Sequence, residues 1–238
     1  MNIIDYFDQV RIINLGTRPD RRKETRQAFR RHGLAIDNQH CCFFDAIAPD
    51  DAAGFPNRGV RGCYLSHLAL LQMAQVAGAA NVLVLEDDID FARKINSEGR
   101  LAIEQLSGMD WDIAYLGHAL GNQPGPPRWL AVDQPMLLAH CYAINGRTLP
   151  ALTRFLSQIL CRPPGHPDGG PMHYDGALNT FIRQNPALKA VYFSRNLAYQ
   201  RPSSTDLHPR SLLDRNPALQ PFAGLYRSLK RYYLGLVR

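Results

Sequence analysis

Short apolar runs alternate along the chain with longer stretches of helical periodicity. Six runs of β-branched, aromatic or aliphatic residues predict strands, at residues 10–15, 40–44, 82–85, 113–116, 137–144 and 190–193. Four stretches between them predict helices, at residues 20–32, 62–77, 146–160 and 174–184. This alternation predicts an α/β fold with a Rossmann-type, mostly parallel sheet and helices on both faces.

The run Val82-Leu83-Val84-Leu85 is apolar on both faces, which is typical of a central strand buried under helices. Residues 117–129 and 161–171 are rich in glycine and proline, so we expect irregular loops there. The α/β pattern extends over residues 1–206. Residues 207–238 are predicted to form a separate Pro-rich segment followed by a basic amphipathic helix.

The composition indicates one globular body, since 45% of the 238 residues are hydrophobic and 20% are charged. The five cysteines are scattered and contain no CxxC pair, which argues against a zinc knuckle or a disulfide framework and favours a reducing cytoplasm. Asp5 and Asp8 stand where a signal peptide would be basic, and no apolar stretch approaches ~20 residues. A cytoplasmic location is therefore expected.

The net charge of +6 is unevenly distributed, because eight arginine and lysine residues lie between Arg11 and Arg31. Partners that carry phosphate are favoured by such a patch. Nucleic acid, anionic lipid and a nucleotide diphosphate all fit this description, so charge alone does not choose between them.

Three acidic residues, Glu86-Asp87-Asp88, directly follow the predicted central strand. The ligand crevice of an open α/β sheet lies beyond the carboxyl ends of its strands, so these carboxylates are expected to face a site. A Mg²⁺-like ion would bridge them to substrate phosphates. The alternative is a solvated acidic turn. The chain has neither a GxGxxG nor a P-loop motif, which leaves a cation as the expected partner of phosphate.

Two further groups have both a functional and a structural interpretation. Arg18, Arg21 and Arg22 follow the first strand at a predicted helix start, where anions are favoured, although most arginine runs are solvated helix faces. Ser66 and His67 lie on an otherwise apolar helix, where a hydrogen-bonded core histidine is the usual explanation.

Taken together, these motifs resemble glycosyltransferase family 25 in order and spacing over residues 10–206. This family includes bacterial lipopolysaccharide galactosyltransferases and collagen galactosyltransferases. The residues that carry the resemblance are Ile13-Asn14-Leu15, Arg18, Asp20, Arg21, Gly62-Cys63, Ser66-His67, Leu85-Glu86-Asp87-Asp88, Trp111-Asp112, Leu116-Gly117, Asp175, Gln200-Arg201 and Asp206.

The resemblance implies a GT-A-like fold, inversion at the anomeric carbon and a UDP-sugar donor, with UDP-galactose expected first and UDP-glucose second. It implies that Glu86 and Asp88 hold Mn²⁺ or Mg²⁺. It also implies donor contacts from a larger set, namely Asn14, Leu15, Arg18, Arg22, Ser66, His67, Asp87 and Gln200. One position departs from the family, since Val60 stands where a glutamate is common.

The expected reaction is a single in-line displacement in which a base takes the proton of an acceptor hydroxyl. Asp175 opens a predicted helix after a flexible loop and is the first candidate for this base, although a helix N-cap is its structural alternative. Asp206 and Asp112 are the next candidates. The expected acceptor is a saccharide, free or lipid-linked, in the synthesis of lipopolysaccharide or another cell-surface glycan.

Two other functions are weighed against this one. A sugar-nucleotide nucleotidyltransferase needs a glycine-rich loop near the first strand, where only Gly16 is available. A nucleic-acid-binding domain would interleave aromatic with basic residues, but Phe29 is the only aromatic residue between Arg11 and Arg31, so no nucleic acid partner is expected. The basic C-terminal helix predicts either peripheral binding to the inner membrane or docking on the α/β body.

Overall fold

A computed structural model describes residues 2–201. Asp206 and the predicted C-terminal unit of residues 207–238 therefore lie outside the described residues. The described part contains the strands β1 (Gln9–Asn14), β2 (Cys41–Asp45), β3 (Asn81–Glu86), β4 (Ile89–Phe91), β5 (Ile113–Tyr115), β6 (Trp129–Ala131), β7 (Cys141–Asn145), β8 (Ala190–Phe193) and β9 (Ala198–Gln200). Its helices are α1 (Pro19–Arg31), α2 (Arg58–Val76), α3 (Ile95–Ser107), α4 (Leu149–Leu160) and α5 (Tyr174–Gln184).

Seven strands form the main sheet in the order β2-β1-β3-β7-β5-β8-β6. Five of them run in one direction, and only β7 and β6 are antiparallel to their neighbours. Side chains of α2, α4 and α5 build the apolar core on one face, and those of α1 and α3 build the core on the other. The predicted α/β class, with a mostly parallel sheet covered by helices on both faces, is confirmed.

Strand β3 has the central position that its sequence predicts, between β1 and β7. Val82 and Val84 belong to one core, whereas Leu83 and Leu85 belong to the other, as the two-residue period of a strand requires. All four side chains are buried. The end of β3 is thereby fixed in the middle of the sheet edge.

The sequence did not predict four elements, α3, β4, β6 and β9. Each of the strands β4, β6 and β9 is only three residues long, and β4 pairs with β9 across more than one hundred residues of chain. No local sequence pattern therefore predicts them. The strand predicted at residues 137–144 begins only at Cys141, because Leu138 has a φ of 71° and turns the backbone. Among the described residues, no helix is long and apolar enough to cross a bilayer.

Helix α2 packs closely against the segment after β2 at Gly62, which leads to a testable prediction. A Cβ atom there would lie 2.6 Å from the carbonyl oxygen of Ile47 and 3.0 Å from Cδ of Pro49. Gly62→Ala should therefore lower the free energy of unfolding by ~1–3 kcal/mol, although alanine is the better helix former. Urea unfolding measures the effect.

Gly176, in α5, is the matched control for this substitution. A Cβ atom on Gly176 would meet only Met172, with Sδ nearest at 3.5 Å, an ordinary contact. Gly176→Ala should therefore leave the stability unchanged or raise it by up to ~1 kcal/mol. Equal effects of the two substitutions would contradict a backbone clash at Gly62.

Candidate active site

A cavity of about 950 Å³ opens at the sheet edge where β1 and β3 end. Strand β7 runs against β3, so its beginning, rather than its end, reaches the same edge. The wall comes from the ends of β1 and β3, the segment after β2, the first half of α2, the segment before β7, the start of α5 and Gln200. The crevice thus lies where the order of the parallel strands predicts it.

The central acid of the triplet, Asp87, is fully engaged by protein groups. Arg21 donates to its Oδ1 at 2.6 Å, and Asn14 Nδ2 donates to its Oδ2 at 2.6 Å. The side chain is 9% exposed. Asp87 therefore holds α1 and β1 against the end of β3, and the structure gives it a positioning role.

Asp88 differs from Asp87 because its Oδ1 is buried and has no hydrogen-bond partner within the described residues. Burial, and then the negative charge of Glu86, raise the pKa of Asp88 to about 7. The nearest cationic group is Arg21, at 3.9 Å from Asp88 Oδ2. A carboxylate in this setting is stabilised by a cation that enters from the cavity.

Glu86 is the last residue of β3, and its two carboxylate oxygens face different residues. Gln200 Nε2 donates to its Oε2 at 3.0 Å, and His67 Nε2 lies 3.5 Å from its Oε1. Burial alone would raise the pKa of Glu86, but the neighbouring His67, His140 and Gln200 hold it below its usual value. The β4–β9 pair places Gln200 here, because Gln200 is paired with Ile89.

The carboxylates of Glu86 and Asp88 fit the hard divalent cation that the resemblance implies. Both line the cavity, and Asp88 Oδ1 offers an unshared acceptor. Mg²⁺-like ions take one or two protein carboxylates and complete their shell with water and substrate phosphates. Glu86 and Asp88 supply the two carboxylates, and the open cavity leaves space for water and substrate phosphates.

His67 is held rigidly in the cavity wall. Its ring is stacked on Tyr174, with centroids 3.9 Å apart and planes 7° from parallel. Its Nδ1 lies 2.9 Å from the Tyr142 hydroxyl, which donates to the Tyr174 hydroxyl at 2.8 Å. The whole histidine is buried, yet its Nε2 faces Glu86 without a hydrogen bond.

Asp175 lies in the first turn of α5 and lines the same cavity. Its Oδ2 accepts from the backbone N–H of Leu138 at 3.2 Å, and its Oδ1 accepts from the N–H of Gly176 at 2.8 Å. The N-cap position belongs to His173, so Asp175 is not the cap itself. Its carboxylate is within the cavity and can accept a proton from a bound hydroxyl.

The remaining predicted donor residues fall into two groups. Asn14, Leu15 and Ser66 line the cavity, although the Ser66 hydroxyl donates to Gly62 O and accepts from Ile47 N. The cavity wall does not include Arg18 or Arg22. Arg18 pairs with Asp20 at 2.8 Å, while Arg22 donates to Asn14 and Asp45 and lies over the Phe43 ring.

Asp112 does not line the cavity. It precedes β5 and therefore lies at the amino end of this strand, on the opposite edge of the sheet. Its Oδ1 accepts from Arg147 and Thr148, both at 2.9 Å, and its Oδ2 accepts from the N–H of Lys189 at 2.8 Å. Burial alone would raise the pKa of Asp112, but these hydrogen bonds hold it below its usual value.

The structure also brings to the cavity residues to which the sequence assigned no role. Arg58 begins α2 and Cys63 lies one helical turn before His67, and both line the cavity. Burial, together with Glu86, Asp175 and Asp88, raises the pKa of the Cys63 thiol. The four-residue spacing of Cys63 and His67 was a visible signal, since such residues share a helix face.

No protein-family profile matches the chain. Two solved structures are similar in part: a glycosyltransferase involved in the glycosylation of the major capsid of PBCV-1 (10% identity, TM-score 0.45, 83% of this chain and 94% of that one), and mannose-1-phosphate geranyltransferase from Thermus thermophilus (11% identity, TM-score 0.39, 80% and 75%).

Curated relatives are found at the sequence level. The inactive glycosyltransferase 25 family member 3 of Homo sapiens is 29% identical over 147 residues, which cover 53% of this chain and 24% of the relative. The probable inactive member 3 of Bos taurus is 29% identical over 158 residues, 58% and 26% of the two chains. This chain thus spans about a quarter of the length of these relatives. The resemblance to glycosyltransferase family 25 is confirmed: over about half of its length, the chain is similar to members of this family.

Proposed function

We propose that the chain is a glycosyltransferase that moves a hexose from a UDP-sugar to a saccharide acceptor with inversion. The observation that carries the proposal is the buried, unpartnered Oδ1 of Asp88 beside Glu86, in a cavity at the carboxyl ends of β1 and β3. A carboxylate oxygen with no partner among the described residues indicates a bound cation, and a cation at this edge is the device that neutralises a diphosphate.

Each part of the cavity wall has a role in the proposed reaction. Glu86 and Asp88 hold Mn²⁺ or Mg²⁺, which when bound stabilises the charge of the leaving diphosphate. Arg58 and the N-terminal end of α2 add positive potential at the wall. Asn14 and Leu15, at the end of β1, offer contacts for the nucleoside.

Asp175 takes the acceptor proton in this proposal. The N–H groups of Leu138 and Gly176 hold its carboxylate in place, and its position in the cavity wall lets an acceptor hydroxyl approach it. As the hydroxyl oxygen attacks the anomeric carbon, the proton passes to Asp175 and the bond to the UDP oxygen breaks on the opposite side. A single displacement of this kind inverts the anomeric centre.

We propose galactose as the transferred sugar, with glucose second, and a saccharide or lipid-linked saccharide of a cell-surface glycan such as lipopolysaccharide as the acceptor. These choices are supported by the resemblance to family 25. The cytoplasmic location and the peripheral association with the inner membrane stay predictions.

UDP binding should depend on a divalent cation. The charges of Glu86 and Asp88 repel a diphosphate, so we expect the UDP dissociation constant to rise at least about tenfold, or ~1.4 kcal/mol, when Mn²⁺ is removed with a chelator. Titration calorimetry with and without the chelator measures this. Equal affinity in both conditions would contradict the cation site.

Activity itself is tested with a panel of UDP-sugars, Mn²⁺ and candidate saccharide acceptors, with UDP release as the readout. Release that depends on one donor and increases with acceptor identifies a transferase and names its sugar. Cation-dependent UDP binding without release from any donor would instead indicate a nucleotide-binding domain that has lost transfer. The names of the curated relatives describe those proteins as inactive or probably inactive.

A further inference from the structure

Cys63, His67 and Glu86 converge on one point of the cavity wall. Cys63 and His67 are four residues apart on α2, so they share a helix face, and Glu86 ends the strand opposite them. One ligand atom of each residue lies within 4.8 Å of the others. Bonds of about 2.0–2.3 Å put the ligand atoms of a tetrahedral ion about 3.3–3.8 Å apart, so side-chain shifts of about 1 Å at Cys63 and Glu86 would complete the site.

The hydrogen bonds of His67 leave its second nitrogen available to a ligand. The Tyr142 hydroxyl donates its proton to the Tyr174 hydroxyl, so the Tyr142 oxygen accepts from Nδ1–H of His67. Nε2 is therefore the ring nitrogen that remains for a ligand. Nε2 is buried, has no hydrogen-bond partner within the described residues and faces Glu86 Oε1 at 3.5 Å.

The unpartnered Nε2 and the Glu86 oxygen that faces it are both groups that can bind a cation. A metal-binding histidine almost always has its other ring nitrogen hydrogen-bonded, which fixes the ring and the tautomer. Tyr142 supplies that hydrogen bond, and the stacking on Tyr174 fixes the ring plane. His67 is thus oriented as a ligand before any ion binds.

We propose that Cys63, His67 and Glu86 form a binding site for a divalent transition metal of the Zn²⁺ or Co²⁺ type. A thiolate, an imidazole and a carboxylate are the donors that such ions prefer, whereas Mg²⁺ and Ca²⁺ prefer oxygen alone. The cavity supplies water as the fourth ligand. On binding, the Cys63 sulfur bonds to the metal and releases its proton to solvent, and the metal keeps its oxidation state.

The test is a titration of the metal-free, full-length chain with Co²⁺, followed by absorption spectroscopy. A thiolate ligand should produce a sulfur-to-cobalt charge-transfer band in the near ultraviolet that saturates at one equivalent, together with ligand-field bands in the visible. Zn²⁺ should then displace Co²⁺ and remove both sets of bands.

Cys63→Ser should abolish the near-ultraviolet band and weaken Zn²⁺ affinity by at least the ~10–100-fold that loss of an outer-shell partner costs. Cys161→Ser is the matched control, because this thiol is exposed at the end of α4, and it should keep the band. Far-ultraviolet circular dichroism checks that both variants fold.

Absence of the band in the unsubstituted chain, or its persistence in Cys63→Ser, would overturn the proposal. The test is independent of sugar transfer. Asp88→Asn should keep the cobalt band, because Asp88 is not one of the three ligands, even where it removes cation-dependent UDP binding. The two proposals can therefore fail separately.

Discussion

Asp175→Asn is expected to lower the turnover of the proposed transfer by ~10²–10⁴ while leaving UDP affinity nearly unchanged. The amide keeps the size of the side chain and one oxygen that can accept from Leu138 N–H, but it cannot take a proton from the acceptor. Steady-state rates of UDP release, with UDP affinity from calorimetry, separate the two quantities.

Asp133→Asn is the control for this prediction, because Asp133 is an exposed aspartate that does not line the cavity. It should keep full turnover. Unchanged turnover in Asp175→Asn would remove this residue from the mechanism and direct the search to Asp206. A loss of UDP affinity equal to the loss of rate would indicate a disturbed cavity.

Asp88→Asn should abolish the cation dependence of UDP binding and lower turnover by ~10²–10³, since it removes one of two carboxylates proposed to hold the ion. The same substitution should not lower the free energy of unfolding of the cation-free chain. Asp88 Oδ1 has no partner to lose among the described residues, and the substitution removes a buried charge. Calorimetry, UDP release and urea unfolding measure the three effects.

Asp90→Asn provides the comparison, because Asp90 is two residues further on and pairs with Arg31 at 3.4 Å, outside the cavity wall. It should alter none of the three quantities by more than a small amount, as expected of a partly exposed ion pair. If Asp88→Asn unfolded the cation-free chain, the Asp88 carboxylate would have to make a stabilising contact, contrary to the unpartnered Oδ1.

Much of the α/β framework could be predicted from hydrophobic periodicity. The helix at Tyr174–Gln184 and the strand at Ala190–Phe193 match their predictions, because each is bounded by clear breaks in the pattern. Helix α3 was missed, since Gly99 interrupts its interior. Gly99 is there because a larger residue would meet Ile3, a contact that no local signal shows.

The site shows the same division between local and long-range information. The position of the acidic triplet after β3 was sufficient to place it at the cavity, because strand order determines which edge holds the ligand. The position did not show that the Asp87 carboxylate is hydrogen-bonded by protein groups whereas Asp88 Oδ1 has no partner among the described residues. That distinction depends on Arg21 and Asn14, which reach Asp87 from two other elements across more than sixty residues.

Asp112 could have been placed away from the cavity from the order of the sequence alone. It stands before its strand rather than after it, so the rule that placed Glu86 at the cavity also places Asp112 at the far edge. The motif resemblance located the residue correctly in the chain but carried no information on which end of β5 it occupies.

The stacked and hydrogen-bonded trio of His67, Tyr142 and Tyr174 has a consequence for the thermodynamics of binding. Their rotamers are fixed by contacts within the protein, so the loss of conformational entropy is incurred when the chain folds, not when a ligand arrives. Ordering a rotamer-rich side chain on association costs ~0.5–1.5 kcal/mol. A ligand that contacts these side chains does not incur the cost of ordering them, so their contacts with the ligand contribute to its affinity without that loss.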